Sequence, residues 1–181
     1  MKGMPEIIVR SGTIGTIKAI FRSGPVEVVK TDESHFEGFW EILKEWGSFW
    51  ADKGEVKNYE AFRIWYRETA RESMTGIDNG QVVGGAYLDN IYPGHYATIN
   101  IFKRKGYLNH RMITAILRDG IPLFFEKYNL RMLIGITRHR AAIRLARRLG
   151  FRKDGRLRQW AQVDGRWTDY TMLSILRSEV I

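Results

Sequence analysis

The spacing of apolar residues along the chain changes from alternation to a helical repeat and back, which predicts separate groups of strands and helices. Loose alternation over residues 7–21, with Gly12 and Gly15 inside it, predicts a strand pair with a glycine turn. Residues 26–29 (VEVV) predict another short strand. Residues 1–25 are therefore expected to form an N-terminal hairpin extension.

Two aromatic-rich helices are predicted next. Ser34 and Glu37 have the spacing of a capping box, and apolar residues recur every three or four positions from Phe36 to Trp50. The second predicted helix runs from Tyr59 to Ser73. We expect most of these aromatic side chains to be core, with one or two near the helix ends able to line a ligand pocket.

The middle of the chain returns to alternation. The pair Asn79-Gly80 lies between two such runs, which is a strong signal for a tight hairpin. Residues 74–102 are therefore predicted as three consecutive antiparallel strands. A helical repeat follows over residues 108–128, and Pro122 with the nearby Gly120 must bend or interrupt that helix.

The remaining elements define the fold class. They are a strand, a helix and a final strand pair, predicted at Met132–Ile136, Arg140–Leu149, 152–163 and 166–176. A strand, crossover helix and strand imply one parallel pair in an otherwise antiparallel sheet. The prediction is one α/β (α+β) domain over residues 1–181, with a mixed, mostly antiparallel central sheet flanked by helices.

Composition excludes several kinds of chemistry. The absence of Cys excludes disulfides, thiolate nucleophiles and Cys-ligated zinc. The four His residues have no metal-ligand spacing, and neither a Ser-His-Asp nor an HExxH arrangement is found. There is no Walker loop and no GxGxxG, which disfavours ATP and NAD as cofactors, and the spacing of the His residues predicts no metal. There is no long apolar run either, so we expect a cytoplasmic protein with no membrane partner.

The charge is concentrated in two places. Nine basic residues and one acidic residue lie in residues 138–158, and four basic residues and no acidic residue lie in 103–111. The rest of the chain has 16 basic and 19 acidic residues, against a formal net charge of +9 for the whole. Such local excess indicates a polyanionic partner, either nucleic acid or a phosphorylated cofactor.

The first basic segment joins a strand to a helix. Unpaired N–H groups and the dipole at a helix N-terminus favour phosphate, and Gly106 would allow the backbone to approach an anion closely. Lys103, Arg104 and Lys105 add formal charge. Residues 103–109 are therefore a candidate phosphate-binding turn.

The second basic segment carries a family resemblance. The runs 141–145 (AAIRL), 149–155 (LGFRKDG) and 163–169 (VDGRWTD) resemble the C-terminal half of GNAT-superfamily N-acetyltransferases, in the branch that acetylates ribosomal-protein N-termini and small amines. The resemblance covers residues 74–178 well and the two early helices by position only. It implies an acetyl-CoA co-substrate and an amine-bearing acceptor, a small molecule or a protein.

The resemblance also implies where the cofactor lies. Pantetheine would lie between strands 96–102 and 132–136, bonded to the backbone around residues 100–102, and the pyrophosphate would lie on the turn that follows. The expected cofactor-binding residues are Asn100, Ile101, Phe102, Lys103, Arg104, Lys105, Gly106, Tyr107, Leu108, Asn109 and His139.

Three positions depart from the family pattern. Leu108 stands at a small-residue position of the phosphate loop, His139 stands at the cofactor-contacting Asn, and Ala146 stands at the Tyr that commonly protonates the CoA thiolate. Candidate acids and bases are His139, Tyr170 and Asp89, with His95 and Tyr96 beside the turn that precedes strand 96–102.

These observations leave three hypotheses open. The leading one is an N-acyltransferase that transfers acetyl from acetyl-CoA to a protein N-terminus, a lysine or a small amine. The second is a GNAT-fold protein that binds nucleic acid or modifies a base, since the spaced arginines of 138–158 could follow a phosphate backbone. The third is a GNAT-fold protein that has lost catalysis, as Leu108 and Ala146 indicate.

Overall fold

In the computed structural model, residues 21–23, 26–46, 56–107, 111–163 and 165–180 are described. The strands are β1 Phe21–Ser23, β2 Val26–Lys30, β3 Glu72–Asp78, β4 Gln81–Tyr92, β5 Tyr96–Lys103, β6 Met132–Thr137, β7 Arg152–Val163 and β8 Arg166–Leu176. The α-helices are α1 Phe36–Trp46, α2 Tyr59–Thr69, α3 Arg111–Ala115, α4 Ile121–Lys127 and α5 Arg140–Arg148. Most of the predicted N-terminal hairpin lies outside the described residues.

The strands form one sheet in the order β1-β2-β3-β4-β5-β6-β8-β7. Only β5 and β6 pair in parallel, and the other pairs of the described strands are antiparallel. The predicted mixed, mostly antiparallel sheet with one parallel pair is confirmed. The crossover that makes this pair parallel is the helical segment between β5 and β6.

The two early helices cover one face of the sheet, above β4. Their buried aromatic side chains pack against Tyr87 of β4, and the packed group contains Phe36, Phe39, Phe62 and Tyr66. Phe36 and Tyr66 meet edge to face, with 5.2 Å between ring centroids. Among the described residues, the prediction that these aromatic residues are mainly core is confirmed, whereas Phe49 and Trp50 lie outside those residues.

The helix ends differ from the sequence prediction. The capping box uses Asp32 and His35 and not the predicted Ser34 and Glu37, because a 3-10 turn at Glu33–His35 precedes α1 and the Asp32 carboxylate accepts the Ser34 N–H at 2.9 Å. The second helix stops at Thr69 and not at Ser73. The chain leaves the helix there because the Arg71 N–H donates to the Leu88 carbonyl and begins the pairing of β3 with β4.

The opposite face carries the larger core, under α3, α4 and α5. It includes Met112, Ile116 and Phe124 from the helical crossover, together with Leu133 of β6. The crossover is interrupted as predicted, by a π-helical segment at Ile116–Gly120 just before α4. Pro122 lacks an N–H and cannot continue the i→i−4 bonding, so one wide turn absorbs the mismatch.

Local turn chemistry sets the β3–β4 hairpin. Asn79 (φ 48°) and Gly80 (φ 77°) both take left-handed backbone conformations, which a two-residue hairpin turn of this kind requires. None of the helices in the described part of the chain is long and apolar enough to cross a membrane.

Candidate functional site

The parallel strands β5 and β6 separate after a short paired segment. Tyr96, Ala97 and Thr98 pair with Met132, Leu133 and Ile134, and no β5–β6 pairing is recorded beyond these residues. β5 continues to Lys103 beside β4, and β6 continues to Thr137 beside β8. The two strands therefore diverge and leave a cleft in the middle of the sheet.

Backbone groups of β5 line one edge of this cleft. The Arg104 N–H donates to the Val83 carbonyl of β4 at 2.8 Å, so the Lys103 carbonyl of the same peptide points away from β4. Alternation along the strand directs the backbone groups of Ile99 and Ile101 to the same cleft side. Among the residues predicted to bond pantetheine, Ile101 thus has its backbone at the cleft, whereas the backbone groups of Asn100 and Phe102 face β4.

Trp46 spans the open end of the cleft. Its indole Nε1–H donates to the Lys103 carbonyl at 2.7 Å, and its ring meets the His139 imidazole edge to face at 5.9 Å between centroids. Lys103 ends β5, and His139 follows the end of β6. The sequence indicated only that Trp46 was one aromatic of a helix face, because its two contacts are long-range.

Hydrogen bonds within the turn after β5 and from the turn to α1 hold it in place. Glu45 of α1 accepts from the Arg104 guanidinium at 2.8 Å and from the Lys105 N–H at 2.7 Å. The Lys103 ammonium donates to the Tyr107 carbonyl at 2.5 Å, and burial lowers the pKa of Lys103. Gly106 has a φ of 78° with open space around it.

These contacts determine the charge that the turn presents. Glu45 neutralises Arg104, and the Lys105 side chain makes no ion pair with any described residue, so Lys105 keeps its positive charge exposed. The predicted phosphate-turn residues Leu108 and Asn109 lie outside the described residues.

The acid and base candidates separate into two groups. His139 occupies the N-cap position of α5, and burial together with the nearby Arg138 lowers its pKa. Tyr170 is buried and directly precedes Thr171, the partner of the last β6 residue, so it lies at the same end of β6 as His139.

The other candidates lie away from the open end of the cleft. Asp89 pairs with Thr98, in the segment where β5 and β6 are still paired. Tyr96 pairs with Met132 at the closed end, and the His95 carbonyl accepts the Met132 N–H at 3.1 Å. The structure therefore does not bring these three residues together with His139.

Two further surfaces flank the diverging strands. On α5, exposed arginines at positions 140, 144, 147 and 148 form a stripe that faces solvent and has no ion pair within the described residues. On the face of the sheet that α1 and α2 cover above β4, the part over β6 and β8 is left open, and an apolar groove of about 450 Å³ is lined there by Met132, Ile134, Met172 and Leu176 together with charged side chains. β6 is consequently only half-buried apart from Leu133.

One parallel pair that diverges in an otherwise antiparallel sheet is the arrangement that the resemblance to the GNAT superfamily implied. The family model of the acetyltransferase (GNAT) family matches residues 37–151. The chain belongs to the GNAT family, and the resemblance read from the sequence is confirmed.

Solved structures agree on the fold. A ribosomal-protein-alanine N-acetyltransferase from Brucella melitensis superposes with a TM-score of 0.69 at 20% identity, over 82% of this chain and 98% of that one. A mutant of the spermidine N-acetyltransferase from Vibrio cholerae gives 0.72 at 14% identity, over 87% and 97%. A ribosomal L7/L12 alpha-N-protein acetyltransferase in complex with coenzyme A gives 0.70 at 16% identity, over 85% and 95%. No curated protein matches the chain.

Proposed function

We propose that this chain transfers an acetyl group from acetyl-CoA to an amine. The observation that carries the proposal is the divergence of β5 from β6 after Thr98 and Ile134. That divergence leaves strand-edge backbone groups without a neighbouring strand, and buried backbone groups need hydrogen-bond partners. The amide groups of pantetheine can supply such partners along the edge of β5.

The residues around the cleft suit the rest of the co-substrate. Ile99 and Ile101 offer backbone groups for pantetheine, and Lys103 and Lys105 place positive charge at the turn where phosphates would lie. Gly106 has a left-handed conformation and open space beside it, so an anion could approach the backbone closely at this position. Leu108 and Asn109 remain predicted members of this site.

The reaction requires a base and an acid. The amine nitrogen bonds to the acyl carbon, the C–S bond breaks with its electron pair going to sulfur, and the proton released by nitrogen passes to a base or water while sulfur is protonated. His139 has a lowered pKa, so it is neutral near pH 7 and can accept a proton. Ala146 cannot donate one, and Tyr170 is the proposed acid in its place.

Calorimetric titration with acetyl-CoA tests the proposal. We expect saturable binding, followed by a mass increase of one acetyl group when a peptide with a free N-terminus, a lysine peptide with a blocked N-terminus, or spermidine is added. Absence of binding at millimolar acetyl-CoA would overturn the proposed function. Binding without transfer to any of the three acceptors would support the GNAT-fold protein that has lost catalysis.

The nucleic-acid hypothesis has one observation in its favour, the exposed arginine stripe on α5. Spaced arginines can follow a phosphate backbone, and the resulting affinity falls steeply with salt. The family match gives this hypothesis no support. Titration with duplex DNA and with tRNA at two salt concentrations tests it, and indifference to both polymers excludes it.

A further inference from the structure

One polar group on β5 has no structural role within the described residues. The Asn100 side-chain amide nitrogen is buried, and no described residue accepts a hydrogen bond from it. A buried N–H without a partner destabilises a protein, because the hydrogen bond it made with water in the unfolded chain is not replaced. Such a group is expected where a ligand supplies the missing acceptor.

The position of Asn100 supports a ligand at the cleft. Asn100 lies two residues after Thr98, the last β5 residue that pairs with β6. Its neighbours Ile99 and Ile101 direct their backbone groups into the cleft, and its own side chain lies on the sheet face of Tyr87, its partner on β4. The amide thus lies above the strand edge where the strands have begun to separate.

Acetyl-CoA offers three kinds of oxygen acceptor: the phosphates, the amide carbonyls of pantetheine and the acyl carbonyl. Lys103, where the basic turn begins, is three residues beyond Asn100, which corresponds to roughly 10 Å of strand. A phosphate on that turn is too far away for the Asn100 amide. The pantetheine amides would bond the backbone groups of Ile99 and Ile101, which point into the cleft in the plane of the sheet, whereas the Asn100 side chain stands on the sheet face. The acyl carbonyl, at the end of the pantetheine arm deeper in the cleft, is the acceptor assigned to that side chain.

We propose that the Asn100 side-chain amide donates a hydrogen bond to the acyl carbonyl oxygen of acetyl-CoA, an inference that rests on the proposed function. That oxygen gains negative charge as the amine nitrogen bonds to the acyl carbon. A donor already held in place stabilises this charge more than it stabilises the bound co-substrate. Asn100 is therefore a catalytic residue that touches the reacting group, in addition to the backbone of β5.

The test compares Asn100→Ala with Thr98→Ala, which changes the same face of the same strand where β5 is still paired with β6. Calorimetry measures the Kd of acetyl-CoA and of CoA, which lacks the acyl carbonyl. For Asn100→Ala we expect a several-fold weaker Kd for acetyl-CoA, an unchanged Kd for CoA and a kcat lowered by about 100-fold. Thr98→Ala should change none of the three.

Thermal unfolding of the ligand-free proteins gives a readout that does not depend on activity. Asn100→Ala removes a buried donor without a partner, so its Tm should equal or exceed that of the wild type. Asn100→Leu fills the same space without polar atoms and replaces Asn100→Ala in every measurement if that variant does not fold.

Distinct results would overturn the inference. If the binding of acetyl-CoA and of CoA weakens equally, the Asn100 amide contacts a part that both molecules share and not the acyl carbonyl. If Tm falls while kcat is unchanged, Asn100 has a structural role only. If wild-type protein binds acetyl-CoA and Asn100→Ala retains full kcat, the inference fails and the proposed function stands. If the wild type does not bind acetyl-CoA, the proposed function fails and this inference fails with it.

Discussion

Gly84 of β4 packs closely against both β5 and the crossover helix, and its replacement by alanine is a quantitative test of this packing. A Cβ added at Gly84 would lie 2.4 Å from the Phe102 carbonyl oxygen and 2.7 Å from the Met112 methyl carbon. The Met112 side chain is flexible, but the carbonyl belongs to the β5 backbone. β4 and β5 must therefore move apart for Gly84→Ala to fold.

The loss in the free energy of unfolding of Gly84→Ala follows from the kind of atoms that clash. Overpacking a core costs about 1–3 kcal/mol, and a clash with backbone belongs at the upper end of that range. For a chain of this length each kcal/mol lowers Tm by roughly 2–4 °C, so Gly84→Ala should unfold about 6–12 °C below the wild type. Differential scanning calorimetry measures this shift directly.

The matched control is Gly155→Ala on β7, where an added Cβ meets no atom within 4 Å. That variant should retain the wild-type Tm or slightly exceed it, because glycine is unfavourable inside a strand. Equal Tm values for the two variants would refute the close approach of β4, β5 and Met112.

Three further predictions concern the cleft. Trp46→Phe keeps an aromatic six-membered ring but removes the indole N–H that donates to the Lys103 carbonyl. Urea unfolding should show a loss of at least about 1 kcal/mol in the free energy of unfolding, and no loss would mean that this bond contributes nothing. Burial lowers the folded-state pKa of His139 below its unfolded value of about 6.5, so protonation favours the unfolded chain. Tm should therefore fall as the pH drops below about 6.5, and His139→Gln should flatten this dependence of Tm on pH. An unchanged dependence in the variant would contradict the burial of the imidazole. Glu45→Gln removes the negative charge beside Arg104 but keeps an oxygen that can accept the Lys105 N–H. The variant should bind CoA several-fold more tightly than the wild type at low salt and as tightly as the wild type at high salt. Weaker binding at both salt concentrations would mean that the role of the carboxylate is to order the turn.

Local sequence chemistry accounts for the elements that were predicted most accurately. The final hairpin has its predicted bounds, β7 at Arg152–Val163 and β8 at Arg166–Leu176, because alternation and a glycine-containing turn are properties of adjacent residues. The interruption of the crossover helix near Pro122 is local for the same reason, since a missing N–H acts within one helical turn.

Element ends that depend on a distant strand were predicted less well. The end of α2 was placed four residues too late, because the residues after Thr69 retain helix-compatible side chains. These residues instead join the pairing of β3 with β4, because the long-range hydrogen bonds of the sheet prevail over the local hydrogen bonds of a longer helix.

The cleft shows most clearly which features residue patterns predict and which depend on the three-dimensional structure. The order of elements, the parallel pair, the basic turn and the family could all be predicted from patterns of residue types along the chain. The tertiary structure was needed to show that β5 and β6 stop pairing after Thr98, that Trp46 reaches Lys103 and His139, and that the Asn100 amide nitrogen is buried with no partner among the described residues. Those contacts join residues far apart in the chain, so no local pattern of residue types encodes them, and they form only when the packed layers fix the distances.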